Sequence, residues 1–437
     1  MMRALWVFAE MTICTALLLS TAVAPGDDKQ RQYAVLSKSG LDYYNQGGIV
    51  QDGIAYFTAG DYGRRNKEVA AIKLKESFPC VPIHKTYDST PMVIQRKDGV
   101  WLLLAHEHKK ARTVALDRDT AEIIWTSETN QPGAYFFAYS YYQRKDGSKL
   151  ILMACKNGLH AMSLETGRDV WWCKLGGQGG ITPCVDQRQG WIFDQCGGKV
   201  LKLRAEDGKI LKQTEVSSPN RCISWNTMLI DDEHGYFVAT RWYGQPAWDA
   251  AIRVFDQDLN LVWQRDKLPS GKKDTLTYAE GKLVTGCGNM WYKERYKGDS
   301  WRNITAYEIG SGKIAWRCDL SKYDFICIIN QPYFNGHFYA ETQDTKDKKS
   351  KLFRIKAADG KLEEIFEYGR AITSCAQPLI ARGRMLSGDN HRDRIVVTRI
   401  ARESTVDWPG AFGDPQTNQN AVVDPPAKLV PMKEIQK

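Results

Sequence analysis

The stretch "LETGRDVWW" (residues 164–172) decides the fold, because diluted copies of it recur along the chain. Thr166 and Gly167 suit a tight turn between two strands, since glycine reaches the left-handed backbone conformation that short hairpins need. Trp171 then offers a large apolar surface. Five segments share the pattern: "LDRDTAEIIW" ending at residue 125, "RAEDGKILK" at 204–212, "FDQDLNLVW" ending at 263, "EIGSGKIAW" ending at 316 and "KAADGKLEE" at 356–364.

The spacing of these turns predicts a repeat architecture. The turns end near residues 125, 171, 212, 263, 316 and 364, so they are about 46, 41, 51, 53 and 48 residues apart. Six clear strand–turn–strand segments precede the hairpins that end near residues 125, 212, 263, 316, 364 and 408. Two less obvious copies, at 43–60 and 136–154, bring the count to eight, and "IVVTRIARESTVDW" is expected to end the eighth hairpin at Trp408.

A four-stranded sheet repeated in this way cannot bury both of its faces alone. Packing the sheets face to face around an axis buries them and leaves only short, protected edges. We therefore predict an all-β fold, an eight-bladed β-propeller of four-stranded antiparallel blades. The hairpin aromatics would be structural and wedge between neighbouring blades: Trp125, Trp171, Trp263, Trp316 and Trp408.

The segments "SLETGRDVWW" and "YEIGSGKIAW" resemble the pyrroloquinoline-quinone-like propeller repeat, and the resemblance covers roughly residues 37–408. Quinoprotein dehydrogenases and the outer-membrane assembly lipoprotein B belong to that family. The dehydrogenase branch implies a quinone beside a disulfide of adjacent cysteines, with calcium, but this chain has no Cys-Cys dipeptide. The scaffold branch agrees in size, although its lipid-attachment cysteine is missing, and it implies protein binding without a cofactor.

The two ends of the chain predict an export signal and a tail. Residues 1–24 carry Arg3, an apolar stretch to Leu19 and the small residues Ala22 and Ala24, which is the layout of a secretory signal. Pro25 is a poor residue to follow a cleavage point, so an uncleaved anchor is the alternative. We expect the propeller at 25–408, a Pro-rich tail at 409–437, and a periplasmic or secreted protein without a transmembrane segment after signal removal.

The composition argues against nucleic-acid binding, haem attachment and zinc ribbons. A net charge of +9 spread over 437 residues predicts solubility rather than nucleic-acid binding. Eleven cysteines are present and none forms a C-x-x-C pair, which removes the usual signal for haem attachment and zinc ribbons.

The cysteines follow the repeat. Cys173 lies two residues after a hairpin tryptophan and Cys184 follows 11 residues later, and Cys318 and Cys327 are arranged in a similar way. Cys155 and Cys196 occupy equivalent points of successive units. A disulfide clasp between blades is one interpretation, and buried free thiols are the other.

A ligand site is expected at the mouth of the axial channel, where loops from all blades converge. The candidate ligand-binding residues are Tyr135, Gln178, Arg221, Trp225, Asn226, Gln331 and Arg370, with loop packing as the alternative role for all of them. His106 and His108 stand two apart and could share a metal. No third ligand is visible and a solvated strand end is the alternative, so we predict no metal site.

These patterns favour an exported, non-catalytic scaffold that binds a protein partner in the cell envelope or extracellular space, with a saccharide as a further candidate ligand. The alternative is an enzyme that uses the channel mouth, either a carbohydrate-active enzyme such as a polysaccharide lyase or a quinoprotein-like oxidoreductase. A mouth lined by Arg, Tyr and His within hydrogen-bond reach would favour the enzyme. An exposed apolar patch on one rim would favour the scaffold.

Overall fold

The structure is a computed structural model. It describes residues 33–37, 43–51, 54–60, 67–73, 80–86, 91–107, 110–128, 131, 139–175, 182–196, 198–216, 222–244, 250–268, 276–286, 302–323, 331–342, 350–367, 379–381, 384–389, 394–399 and 407–408. The predicted signal at 1–24 and the predicted tail at 409–437 lie outside these residues. No helix among them has the length and apolar character needed to cross a bilayer.

The described chain is a series of antiparallel meanders. It opens with β1 (Tyr33–Ser37) and an N-terminal sheet of β2 (Tyr43–Gln51), β3 (Ile54–Gly60), β4 (Lys67–Lys73) and β5 (Cys80–Thr86). Six sheets follow, which we name S1 to S6.

Each of the six sheets contains four strands in chain order. S1 contains β6 (Met92–Gln95), β7 (Trp101–Glu107), β8 (Arg112–Asp117) and β9 (Ile123–Thr126). S2 contains β10 (Ser140–Gln143), β11 (Lys149–Cys155), β12 (Gly158–Ser163) and β13 (Asp169–Cys173). S3 contains β14 (Cys184–Asp186), β15 (Trp191–Cys196), β16 (Lys199–Arg204) and β17 (Ile210–Glu215).

The second three sheets repeat this order. S4 contains β18 (Cys222–Asp232), β19 (Gly235–Gly244), β20 (Ala250–Phe255) and β21 (Leu261–Leu268). S5 contains β22 (Leu276–Ala279), β23 (Lys282–Thr285), β24 (Asn303–Glu308) and β25 (Ile314–Asp319). S6 contains β26 (Tyr333–Phe334), β27 (His337–Glu341), β28 (Lys351–Lys356) and β29 (Leu362–Glu367).

A last sheet combines both ends of the described chain. It contains β30 (Leu379–Ala381), β31 (Arg384–Asp389), β32 (Arg394–Arg399) and β33 (Asp407–Trp408), and β1 pairs with β32. The strand with Trp408 pairs with β30, the first strand of this group, so the outermost position is occupied by β1. The sequence pattern had placed Trp408 on that outermost strand. Strand β1, from the N-terminal part of the chain, occupies the outermost position instead.

An apolar cluster fills each interface between neighbouring sheets from S1 to S6. The clusters include Ile151 for S1–S2, Leu201 for S2–S3, Phe193 for S3–S4, Val254 for S4–S5 and Phe353 for S5–S6. The first strands β10, β14, β18, β22 and β26 contact one another in series, and β2 contacts β6 and β30. Because each sheet buries both faces against neighbours, the arrangement is propeller-like. The prediction of an all-β chain of four-stranded antiparallel sheets is confirmed.

A β-bulge recurs in S1 to S6 at the start of the outermost strand. In S1, Ala115 pairs with Trp125 and Leu116 pairs with Ile123, so Ile124 is the extra residue. The same shift occurs in the other five sheets. A bulge bends the strand and redirects its side chains. Here it turns the hairpin tryptophan toward the next sheet.

Candidate protein interface

The structure describes part of the predicted channel mouth. Tyr135, Gln178, Arg221 and Arg370 lie outside the described residues. Trp225 and Asn226 are placed as backbone in β18, where the pairing with β19 shifts register. Gln331 is the candidate whose side chain is described.

Gln331 is fully buried at the start of S6. The N–H of Tyr339 donates to the carbonyl of Pro332 at 2.9 Å, which continues the pairing of β26 and β27 and sets Gln331 beside the end of β27. The amide oxygen and nitrogen of Gln331 have no hydrogen-bond partner among the described residues. A buried amide left unpaired costs about 1–3 kcal/mol. Gln331 thus remains a candidate for ligand contact. The side chains of the other channel-mouth candidates are not among those described.

Buried polar side chains near the ends of the second strands link neighbouring sheets. The Gln195 amide of S3 donates to the hydroxyl of Thr227 in S4, and the Arg241 guanidinium of S4 donates to the hydroxyl of Thr285 in S5. These side chains are at most 5% exposed. Their hydrogen bonds satisfy polar groups inside the sheet interfaces, so we assign them to folding.

Asp194 is the most perturbed carboxyl group in the described residues. Burial raises its pKa to about 7, and the N–H of Gln195 donates to its Oδ1 at 2.7 Å. The side chain lies on β15 and is 2% exposed. A carboxyl that changes charge near neutral pH inside an interface makes that interface sensitive to pH.

For Cys173 and Cys184 the structure agrees with free thiols, one of the two interpretations left open by the sequence, and not with a disulfide clasp. Cys173 packs in the S2–S3 cluster, whereas Cys184 belongs to the S3–S4 cluster and donates its thiol to the carbonyl of Thr227 at 3.0 Å. The two thiols therefore lie on opposite faces of S3. Cys327, the predicted partner of Cys318, is outside the described residues.

His106 is fully buried on β7, opposite Thr113 of β8. It is therefore no solvated strand end, and His108 lies outside the described residues. No group of three His, Cys, Asp or Glu side chains in the described part of the chain could hold a metal ion.

The hairpin tryptophans connect neighbouring sheets at the outer rim by hydrogen bonds and ring packing. Each indole N–H donates to a carbonyl in the next sheet: Trp125 to Leu164 at 2.9 Å, Trp171 to Ala205 at 3.0 Å, Trp263 to Ile309 at 2.6 Å and Trp316 to Ala357 at 2.9 Å. Each ring covers a turn glycine with positive φ: Gly167, Gly208, Gly312 and Gly360. These contacts hold the repeat together.

The residues just before the tryptophans are exposed and apolar. Ile123 and Leu261 are 55% and 50% exposed, and each is followed by an exposed bulge residue. At or next to the bulge, the outermost strands of S1 to S5 carry Ile123, Ile124, Val170, Ile210, Leu211, Leu261, Val262 and Ile314, and the pair in S3 precedes Lys212 instead of a tryptophan. Because the bulge adds one residue, both side chains of the pairs in S1, S3 and S4 leave the sheet interface. We call this set the apolar rim.

Exposed basic residues accompany the apolar rim. Arg168, Lys209, Lys313 and Lys361 each follow a turn glycine and are exposed. Arg168 lies 3.8 Å from Glu128, and both side chains are 75% exposed. Within the described residues Lys209, Lys313 and Lys361 form no ion pair. The rim therefore combines open strand edges, apolar side chains and positive charge.

Sequence reasoning missed the apolar rim as a candidate site. Its signal was present as an apolar pair before an aromatic, in "IIW" and "LVW". An apolar residue in a strand predicts burial, and only the bulge shows that both members of the pair face outward.

Comparison with known proteins found two solved structures of low similarity to this chain. No protein-family model matches the chain, and no curated protein matches it. A chain in a structure titled "Crystal Structure of Mitotic Checkpoint Complex" aligns with a TM-score of 0.48 and 11% identity, covering 87% of this chain and 95% of that one. A chain of Kuenenia stuttgartiensis hydrazine synthase aligns with a TM-score of 0.46 and 11% identity, covering 72% and 96%.

Proposed function

We propose that the chain is an exported, non-catalytic eight-bladed β-propeller that binds a protein partner at its apolar rim. The apolar rim is the observation that carries the proposal. Exposed Ile, Leu and Val side chains recur on the outermost strands of S1 to S5, as adjacent pairs in S1, S3 and S4. Exposed apolar groups that recur in register mark an interaction surface, whereas single exposed residues are ordinary.

The count of eight blades is supported by the contacts of the N-terminal sheet, which lies between S1 and the last sheet. Strand β2 of the N-terminal sheet contacts β6 of S1 on one side and β30 and β31 on the other. Pairing of β1 with β32 ties the N-terminus to the last sheet. Six sheets and two flanking sheets make eight blades of a closed ring.

The partner we propose is a protein segment in extended conformation. Each outermost strand has a neighbour on one side only, so its other edge offers backbone N–H and C=O groups. An added strand would use these groups, and its apolar side chains would cover the apolar rim. The exposed basic residues favour a segment that also carries acidic groups. The resemblance to envelope assembly propellers and the predicted export signal favour a partner in the periplasm or outside the cell.

The test is capture of the partner from the native envelope fraction by the tagged full-length protein and by two variants. Val262→Lys replaces an apolar rim side chain with a charge. Gln264→Lys adds the same charge on the same strand, at an exposed polar position. We expect one partner that is retained by the wild type and by Gln264→Lys and lost from Val262→Lys.

Two results would contradict the proposal. Equal retention of every captured protein by Val262→Lys would remove the rim as the binding surface. A stoichiometric quinone or saccharide in the purified protein, together with turnover, would favour the enzyme at the channel mouth.

A further inference from the structure

Cys173 and Cys196 approach the same interface from opposite sides. Cys173 ends β13, the outermost strand of S2, and Cys196 ends β15, the second strand of S3. Cys196 is buried in the S2–S3 cluster, and Cys173 is partly exposed and packs against that cluster. Neither cysteine is in a disulfide bond in the structure.

The alternation of side chains along β15 brings an acid to the same place. Ile192 and Cys196 belong to the S2–S3 cluster, whereas Phe193 belongs to the S3–S4 cluster. Asp194 is two residues from each of Ile192 and Cys196, so it also faces S2. A carboxyl and two thiols thus share this side of S3.

Electrostatic effects on the thiol pKa values indicate that Cys173, Cys196 and Asp194 lie close together. Burial is the main cause of the raised pKa of Cys173, and it raises the pKa of Cys196 to about 12. The charge of Asp194 raises both further, and the Cys173 thiol adds to the effect at Cys196. Such interactions weaken with distance, so the three groups lie near one another.

We propose that Cys173 and Cys196 are a disulfide-forming pair that joins S2 to S3 covalently. The other described cysteines face different interfaces: Cys155 packs in the S1–S2 cluster, Cys184 in the S3–S4 cluster and Cys318 in the S5–S6 cluster. A bridge between a partly exposed and a buried cysteine is reached by an oxidant through the exposed one. The bridge forms whether or not the apolar rim binds a partner.

The oxidant is a small disulfide such as oxidised glutathione. Cys173 attacks one glutathione sulfur, the glutathione disulfide bond breaks, and the thiol proton of Cys173 goes to the departing glutathione. Cys196 then attacks the Cys173 sulfur of the mixed disulfide, and its proton goes to the second glutathione. Two electrons pass from the protein thiols to the oxidant, so the products are one protein disulfide and two glutathione thiols.

The test uses the reduced full-length protein, incubated with oxidised glutathione, alkylated and digested with trypsin. We expect the peptide of residues 169–174 joined to the peptide of residues 189–199. We also expect a melting temperature several degrees higher after oxidation, since a cross-link restricts the unfolded chain.

Cys196→Ser should lose both results, and Cys173→Ser, at a partly exposed position, provides a second variant that perturbs the core less. Cys155→Ser is the matched control, because Cys155 is also buried and also ends the second strand of its sheet. It should retain the joined peptides and the oxidation-dependent shift. Full alkylation of Cys173 after oxidation, a lasting glutathione adduct on it, or a joined peptide that contains Cys184 would each overturn the proposal.

Discussion

Four of the five interfaces from S1 to S6 are closed at the rim by a tryptophan, whereas the S3–S4 interface is closed by Lys212. Its Nζ donates to Asn260 Oδ1 at 3.0 Å. The turn glycine changes together with the tryptophan: Gly312 lies under Trp263, but Leu259 stands at the corresponding turn of S4 with φ of 55°.

Sterics explain why the two changes go together. A Cβ built on Gly312 would lie 2.5 Å from the indole ring of Trp263. Where no indole covers the turn, a side chain fits, and Leu259 is buried there at 1% exposure. The comparison shows that the glycine of the repeat serves two purposes, turn conformation and contact with the ring. Only the second depends on the neighbouring sheet.

The largest expected effect follows from removing a rim tryptophan. Trp263→Ala should lower the free energy of unfolding by about 3–5 kcal/mol, since a buried indole and its hydrogen bond to Ile309 are lost. Lys212→Ala, at the corresponding exposed position, should cost less than about 1 kcal/mol. Urea denaturation of both variants measures the difference. Equal losses would show that the tryptophan does not close the interface.

The next effect separates the S2–S3 interface from the others by its pH dependence. Asp194 has a pKa of about 7 in the folded chain against an ordinary value of 3.8. The folded state therefore holds the proton more tightly, and the stability this provides is complete below pH 4 and lost as pH rises to 7. Asp194→Asn should remove this loss and raise stability at pH 9 by on the order of 3–4 kcal/mol.

Asp117→Asn is the control of opposite sign. The N–H of Thr120 is the main cause that lowers the pKa of Asp117, so its carboxylate stabilises the fold above pH 4. This variant should be less stable than the wild type at pH 9. Melting temperatures across pH 4 to 9 measure both, and a wild-type curve parallel to that of Asp194→Asn would contradict the assignment.

A smaller effect sharpens the role of the turn glycine. Gly312→Ala should cost about 2–3 kcal/mol, because the methyl group meets Trp263 and the residue has φ of 64°. Gly336→Ala has φ of 78° with nothing within 4 Å of the added Cβ, and it should cost about 1 kcal/mol. Denaturation midpoints compare them. Similar losses would leave backbone conformation as the whole explanation.

The sequence predicted the parts of the fold that repeat and missed those set by long-range packing. The position of Trp263 and its turn followed from local periodicity. The pairing of β1 with β32 joins residues more than 350 positions apart, so no local pattern near Trp408 could show it. The face of Cys184 depended on which residue starts the alternation along β14, and a shift of one position reverses it. For the candidate site, the apolar pairs were visible in the sequence, but their exposure depended on the bulge.

The smallest effect concerns a hydrogen bond that joins S3 to S4, the interface without a rim tryptophan. The Tyr236 hydroxyl of S4 donates to Asp186 Oδ2 of S3 at 2.9 Å, and burial raises the pKa of this tyrosine. Tyr333 makes a similar bond to Glu280 at 2.7 Å between S5 and S6, where Trp316 also closes the rim. Asp186 is 1% exposed, so its lost partner cannot be replaced fully by water.

Tyr236→Phe should therefore cost about 1–2 kcal/mol, and Tyr333→Phe about 0.5 kcal/mol. Both variants keep the ring and remove only the hydroxyl, so equilibrium denaturation reports the hydrogen bond. A larger loss of unfolding free energy from Tyr333→Phe than from Tyr236→Phe would mean that Trp316 does not contribute to the stability of the S5–S6 interface. The two interfaces would then be held in the same way despite their different rims.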